Sequence, residues 1–216
     1  MMGWGIVWQH AGLIFKGLVT TIAISSVSVF CAVLLALMLF GVGLRWKLFD
    51  RLITAFINGM RCVPFLVLLY FVYYGLPVLH IYLSPIYAGV LALSFYNAAY
   101  FSELLRAAWK QIPHEQVEAG LAFGHYGFRL LRRIILKPMI QIALPTFGNQ
   151  TIQVVKDSAF LVIITVEELT YSANELQATY YIPFASFLCA ALLYWAICLV
   201  IEAGIRISTR RAEMMR

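Results

Sequence analysis

Asn149, Gln153, Lys156 and Asp157 fall at i, i+4, i+7 and i+8 inside an apolar run, so a helix would carry all four on one face. Thr146 and Gln150 flank that face. Polar groups at membrane depth cost roughly 2.5–3.5 kcal/mol each on insertion scales, and they turn toward a bundle interior or a cavity. The face is expected either to line a polar path or to hold a neighbouring helix. Lys156 and Asp157 are adjacent and diverge on a helix, so each should find its partner elsewhere. Asn97 and Glu103 are the polar candidates of another apolar run. Glu103 and Arg106, three residues apart, could equally form a helix-surface ion pair. Arg61, just ahead of Pro64, is either a cation at the mouth of a polar path or an interfacial anchor that snorkels to lipid phosphate. Reactive constellations are missing. His10, His80, His114 and His125 are scattered, and no HExxH, GxSxG, P-loop or CxxC occurs. The chemistry on offer is binding and passage, with no catalytic residue and no metal site.

The elements that must position these groups are membrane helices. Of 216 residues, 62% are hydrophobic and 12% charged, with a mean hydropathy of +0.85, which places the chain among integral membrane proteins. A helical span needs roughly 20 apolar residues. Five runs qualify: 18–44, 64–83, 86–108, 138–166 and 184–207. Short alternating segments of the membrane-strand kind are absent. The expected fold is all-α, one membrane domain over residues 1–216. The first run is read as retained, because its N-terminal flank has neither a basic stretch nor a cleavage site. Cys31, Cys62, Cys189 and Cys198 lie in or beside apolar runs and are expected to pack rather than to bind metal.

Charge orients the spans. Arg45, Lys47 and Arg51 follow the first; Arg106, Lys110, Arg129, Arg132, Arg133 and Lys137 separate the third from the fourth; Arg206, Arg210, Arg211 and Arg216 close the chain. The other two loops, 77–85 and 167–183, carry no Lys or Arg. The positive-inside rule makes the basic segments cytoplasmic, with the N-terminus outside and the C-terminus inside. The net charge of +6 thus follows the membrane and does not indicate nucleic acid. Residues 4–16, with Trp4 and Trp8, are expected in the outer interface, and 45–58 as a basic amphipathic piece on the inner surface. The acidic loop around Glu167, Glu168 and Glu175 holds no base and could meet a soluble extracytoplasmic partner.

Between the third and fourth spans lies the longest stretch not read as buried in membrane, PHEQVEAGLAFGHYGFRLLRRIILKPMIQIALP. Val117, Leu121 and the Ala122/Phe123 pair recur at helical spacing, so 115–125 reads as a short amphipathic helix. Glu115 and Glu118 stand at its front and bases follow it, as a helix dipole favours. Such a helix is either a docking element or an ordinary solvated loop helix.

These residues resemble the membrane subunits of ABC importers, specifically the polar amino acid permease family. The family signature runs EAA, three residues, Gly, nine residues, Ile, one residue, Leu-Pro. It is matched by Glu118-Ala119-Gly120, Gly124, Ile134 and Leu136, with Gly120 in place of Ala and Pro138 displaced by one behind Lys137. Arg61-Cys62-Val63-Pro64 is similar to the family's Arg-Gly-Thr-Pro start of the second span, and Lys156-Asp157-Ser158-Ala159-Phe160 to its Lys-Asp-Thr-Ser-Leu turn. The resemblance implies a multi-pass permease of the bacterial inner membrane. It implies that Glu115, Glu118, Ala119, Gly120, Phe123 and Gly124 couple to a cytoplasmic ATPase present in two copies, which carries the ATP and magnesium; this chain holds no cofactor. A second permease subunit, an extracytoplasmic solute-binding protein, an amino acid substrate and membrane lipid complete the implied partners. A zwitterionic substrate would meet Arg61 through its carboxylate and Asp157 through its ammonium, with Asn97, Glu103, Asn149, Gln153 and Lys156 as further lining residues. The alternative is a channel-like or accessory scaffolding subunit that lines no substrate path.

Overall fold

The computed structural model describes residues 2–214; Met1, Met215 and Arg216 lie outside the described residues. All regular structure among them is helical. In order the helices are α1 Met2–Gln9, α2 Ala11–Arg45, α3 Lys47–Cys62, α4 Phe65–Tyr70, α5 Pro85–Lys110, α6 His114–Ala122, α7 Phe128–Leu130, α8 Leu136–Asp157, α9 Leu169–Tyr180 and α10 Pro183–Met214. A π-turn and a 3-10 turn prolong α4 to Leu79, a π-turn joins α7 to α8, and a 3-10 stretch, Ser158–Ile164, prolongs α8.

By length and apolarity α2 and α10 are able to cross a membrane, and the α3–α4 pair qualifies as a third span if its bend is counted within one crossing. Helices α5 and α8 are also long, 26 and 22 residues, but more polar. Their position accounts for that composition. Helix α5 lies at the centre, against α2, α3, α4 and α8, and buries Ala92, Leu93, Asn97, Ala98, Phe101 and Ser102. A helix wrapped in other helices need not be apolar all round.

Small residues set the closest approach. Thr21, Ser25, Ser28, Ala32 and Ala36 make one buried stripe on α2, and Ser94 of α5 donates to the Ser28 carbonyl at 3.4 Å. Small side chains let backbones come together where no solvent drives them to do so. Helices α8 and α10 meet at Gly148, where a β-carbon would overlap the Ile205 side chain. We expect Gly148→Ala to lose about 1–3 kcal/mol by overpacking. Thermal unfolding of the purified chain should register the loss, and Ile205→Ala in the same chain should recover most of it; no recovery would mean that this contact is not the cause.

The amphipathic piece expected over 45–58 is α3, which extends to Cys62 and lays Ile53 and Ile57 against Ala99 of α5. At Val63-Pro64 the backbone is extended, and α3 meets the α4 segment at 103°. Proline cannot continue the α3 ladder but suits the start of a new helix, which places the elbow here.

The acidic segment expected as a loop is largely helix α9. Glu168 caps it, accepting the Thr170 and Tyr171 amides at 2.8 Å each. The base absent from the loop arrives from α2: Lys16 Nζ meets Glu167 Oε2 at 2.5 Å.

Candidate functional site

The α3–α4 elbow presents Arg61 to solvent beside α5. Its guanidinium lies over the Tyr100 ring, 5.6 Å from the centroid, and the Tyr100 hydroxyl donates to the Arg61 carbonyl at 3.4 Å. Asn58, Arg61, Cys62 and Tyr100 border an open pocket of about 350 Å³. A guanidinium held over an aromatic face keeps its fork of donors available to an anion.

From Tyr100 a row of aromatic rings leads toward α8. Tyr96 and Tyr100, one turn apart, touch through hydroxyls 3.2 Å apart. Tyr96 lies 5.3 Å from Phe65, and Phe65 lies 6.2 Å from Phe160, centroid to centroid. Tyr96 is also near enough to interact electrostatically with Asp157. Sequence reasoning passed over this row. Aromatics at i, i+4 are ordinary packing on a membrane helix, and only the neighbouring Arg61 and Asp157 give Tyr96 and Tyr100 a further meaning.

The polar face expected on α8 divides. Gln153 donates to Asp157 Oδ1 at 2.8 Å, and Asp157 is only 5% exposed. Gln150, expected merely to flank, donates to Asn97 Oδ1 at 2.7 Å, while the fully buried Asn97 donates to the Leu93 carbonyl at 2.9 Å. Asn149 and Lys156 turn elsewhere, into a groove of about 410 Å³ against Trp195, Cys198 and Glu202 of α10. Helical rotation of about 100° per residue explains the division. Asn149 and Lys156 lie about 20° apart round the helix, whereas Gln150 and Asp157 lie nearly a quarter-turn away. Gln150 therefore meets Asn97 of α5 and Asp157 comes near Tyr96, while the exposed Gln153 lies between the two sides and Lys156 away from α5.

The Glu103–Arg106 pair is not formed. Arg106 reaches across to α3, with Nη2 3.1 Å from Asp50 Oδ1 and Nη1 2.5 Å from Thr54 Oγ1. Glu103 stays half-exposed on α5. A cross-helix partner wins because Arg106 is largely covered and Asp50 lies on the amphipathic helix packed over it.

Helix α6 stands out from the bundle. It covers His114–Ala122, slightly shorter than the expected 115–125. Glu115, Glu118, Ala119 and Phe123 are exposed, Phe123 to 83%. Gly120 alone is buried, with Leu130 and Ile134 so close that a β-carbon would come within 2.8 Å and 3.0 Å of them. That contact explains glycine where the signature has alanine. Gly124 and Gly127 take φ of +77° and +53°, a region disfavoured for other residues, and so turn the chain from α6 into α7.

At the far end of the bundle, Glu168 also accepts the Tyr194 hydroxyl at 2.6 Å. Burial pushes its carboxyl up from the ordinary range, and the hydrogen bonds from Tyr194, Thr170 and Tyr171 pull it back. With Glu167 paired to Lys16, two of the three acids offered to an outside partner are engaged within the chain.

Comparison with known proteins gives a consistent result. The model of the family described as binding-protein-dependent transport system inner membrane component matches residues 42–214. A probable amino-acid ABC transporter permease of Bacillus subtilis, YckA, is 32% identical over 191 residues, which cover 86% of this chain and 82% of the relative. The histidine/lysine/arginine/ornithine transport system permease HisQ of Salmonella typhimurium is 27% identical, covering 97% of this chain and all of that protein. Among solved structures, an amino acid ABC transporter crystallised with histidines superposes with a TM-score of 0.91 at 26% identity, over 96% of this chain and 98% of that one. The inward-facing methionine transporter MetNI shares the fold, with a TM-score of 0.80 at 18% identity, over 94% and 98% of the two chains.

Proposed function

Because the chain belongs to the family of binding-protein-dependent transport system inner-membrane components, we propose that it forms half of the path by which an ATP-driven importer carries a polar amino acid. Its place is the bacterial inner membrane. It crosses five times, with α2, the α4 segment, α5, α8 and α10 as spans, the N-terminus outside and α6 in the cytoplasm. Too few spans surround the path for one chain to close it, so a second permease, identical or homologous, completes it. Two ATPase subunits carry ATP and magnesium, and an extracytoplasmic solute-binding protein delivers the substrate.

The observation that carries this reading is α6. It projects Glu115, Glu118, Ala119 and Phe123 outward, and a glycine turn on one side and the buried Gly120 on the other hold it to the α7–α8 joint. An amphipathic helix seated in a groove is a common recognition mode. Movement of the seated helix would be passed through the joint to α8, whose Gln150 and Gln153 contact the binding groups, and would open the path alternately to either side. In the binding step, Arg61 takes the substrate carboxylate and Asp157 its ammonium, because a planar fork matches a carboxylate and a buried acid favours a cation. Tyr96 and Tyr100 form the wall between them, and Asn97 with Gln150 steadies it.

Affinity purification of the chain from its own membranes should bring down an ATPase, and the reconstituted complex should accumulate amino acids only when ATP is supplied. Uptake that persists without an ATPase, or no uptake of any amino acid tried, would instead favour a channel or a scaffolding subunit.

A further inference from the structure

A cleft of about 830 Å³ lies where the end of α2, the end of α5 and the α6–α7 joint come together. Its size falls within the roughly 300–1,000 Å³ of ordinary ligand clefts. Trp109, Ile112, Val117, Leu131 and Ile135 make its wall apolar. Arg45, Lys110 and His114 stand on it, all exposed, and the lining holds no acid. Lys110 also borders the small cavity of Asp50, but that carboxylate already faces Arg106. Beyond its sequence neighbours and the adjoining turns of α2, no described residue has an atom within 4 Å of the point where a β-carbon on Gly41 would stand, so the α2 side of the cleft is open.

We propose that this cleft binds one anionic phospholipid of the inner leaflet, its headgroup on Arg45 and Lys110 and an acyl chain along the apolar wall. A free anion would leave the wall wet, and a zwitterionic lipid would leave the two cations without a net counter-charge. Arg45 ends an apolar helix long enough to cross a membrane, so the basic rim stands at one end of a candidate span. Basic residues at such an end attract anionic lipid. The site rests on the orientation proposed above and does not involve the substrate path.

The test is lipid retention, read by native mass spectrometry on the chain and whatever subunits accompany it, released from vesicles of mixed phosphatidylethanolamine and phosphatidylglycerol. Wild type is expected to keep phosphatidylglycerol in preference. Arg45→Gln and Lys110→Gln should each lower that retention about fivefold, and the pair about thirtyfold, as expected for one basic contact each. Gly41→Leu, which fills the cleft and leaves both charges, should also lower it. Arg51→Gln, a cation outside the cleft, should not. Equal retention of the two lipids by wild type overturns the site. So does retention that survives both the double variant and Gly41→Leu, or a loss in Arg51→Gln equal to that in Arg45→Gln. The readout does not depend on transport, so failure of the importer reading and failure of this one are told apart.

Discussion

Replacing Asp157 by Asn is expected to cut uptake by about thirtyfold to several-thousandfold, the range that corresponds to roughly 2–5 kcal/mol for truncating one partner of a buried, hydrogen-bonded charge pair. The folded protein should survive the change. Asp157 is almost wholly covered, and Gln153 donates to it. An anion held so deep is expensive to keep. Asn can keep the bond to Gln153 by turning its amide, so stability should hold or rise while transport falls. A structural aspartate would behave in the opposite way, losing stability along with activity. Arg61→Lys should cut uptake too, because an ammonium cannot reproduce the planar fork that lies over Tyr100. Assembly with the ATPase should be intact in both variants. Normal uptake in both, measured at matched membrane levels, removes the site.

Gly124→Asp is expected to separate ATP hydrolysis from transport. At φ +77° any side chain carries a backbone cost of about 1–2 kcal/mol, worth roughly five- to thirtyfold in the population of the correct turn. Apart from its neighbours in sequence, no described residue has an atom within 4 Å of the added β-carbon. The side chain would therefore meet no more distant neighbour inside the permease and would project outward on the face proposed to seat in the ATPase groove. Gly124→Ala tests the two contributions, since it carries the backbone cost without the charge and bulk and should retain more coupling than Asp. The measurement is amino acid accumulated per ATP hydrolysed in proteoliposomes. Unaltered coupling in Gly124→Asp would mean that α6 does not dock.

Much of this architecture was legible in the residues because membrane helices advertise themselves by composition. The apolar runs, the α3 amphipath and the helix between the basic segments all depend on local pattern, and each overlaps the helix found there, although α2 begins seven residues before its run and α10 ends seven after. What was illegible depends on who sits next to whom. Helix α9 was passed over because the signal that starts it, Glu168, reads as one acid among three until its carboxylate is seen on two backbone amides. The α8 face appeared single because spacing ranks residues by angle and says nothing about which neighbour occupies each side. Gln150 proved nearer to Asn97 than the flanking position suggested. Arg106 took Asp50, from a helix far earlier in the chain, over the acid three residues away. Tyr96 and Tyr100 carried no signal of their own.

The longest rods have a consequence for the lipid around them. At about 1.5 Å per residue, α2 and α10, of 35 and 32 residues, extend roughly 52 Å and 48 Å, against about 30 Å of hydrocarbon. Set across a bilayer, each would have several turns beyond the oily slab, and near the start of α2 Lys16 already makes a solvated ion pair with Glu167, just ahead of α9. The surplus of α10 carries Glu202, Arg206 and Arg210, charges that are costly in hydrocarbon, so on that helix the charged residues rather than the helix length set where the slab stops.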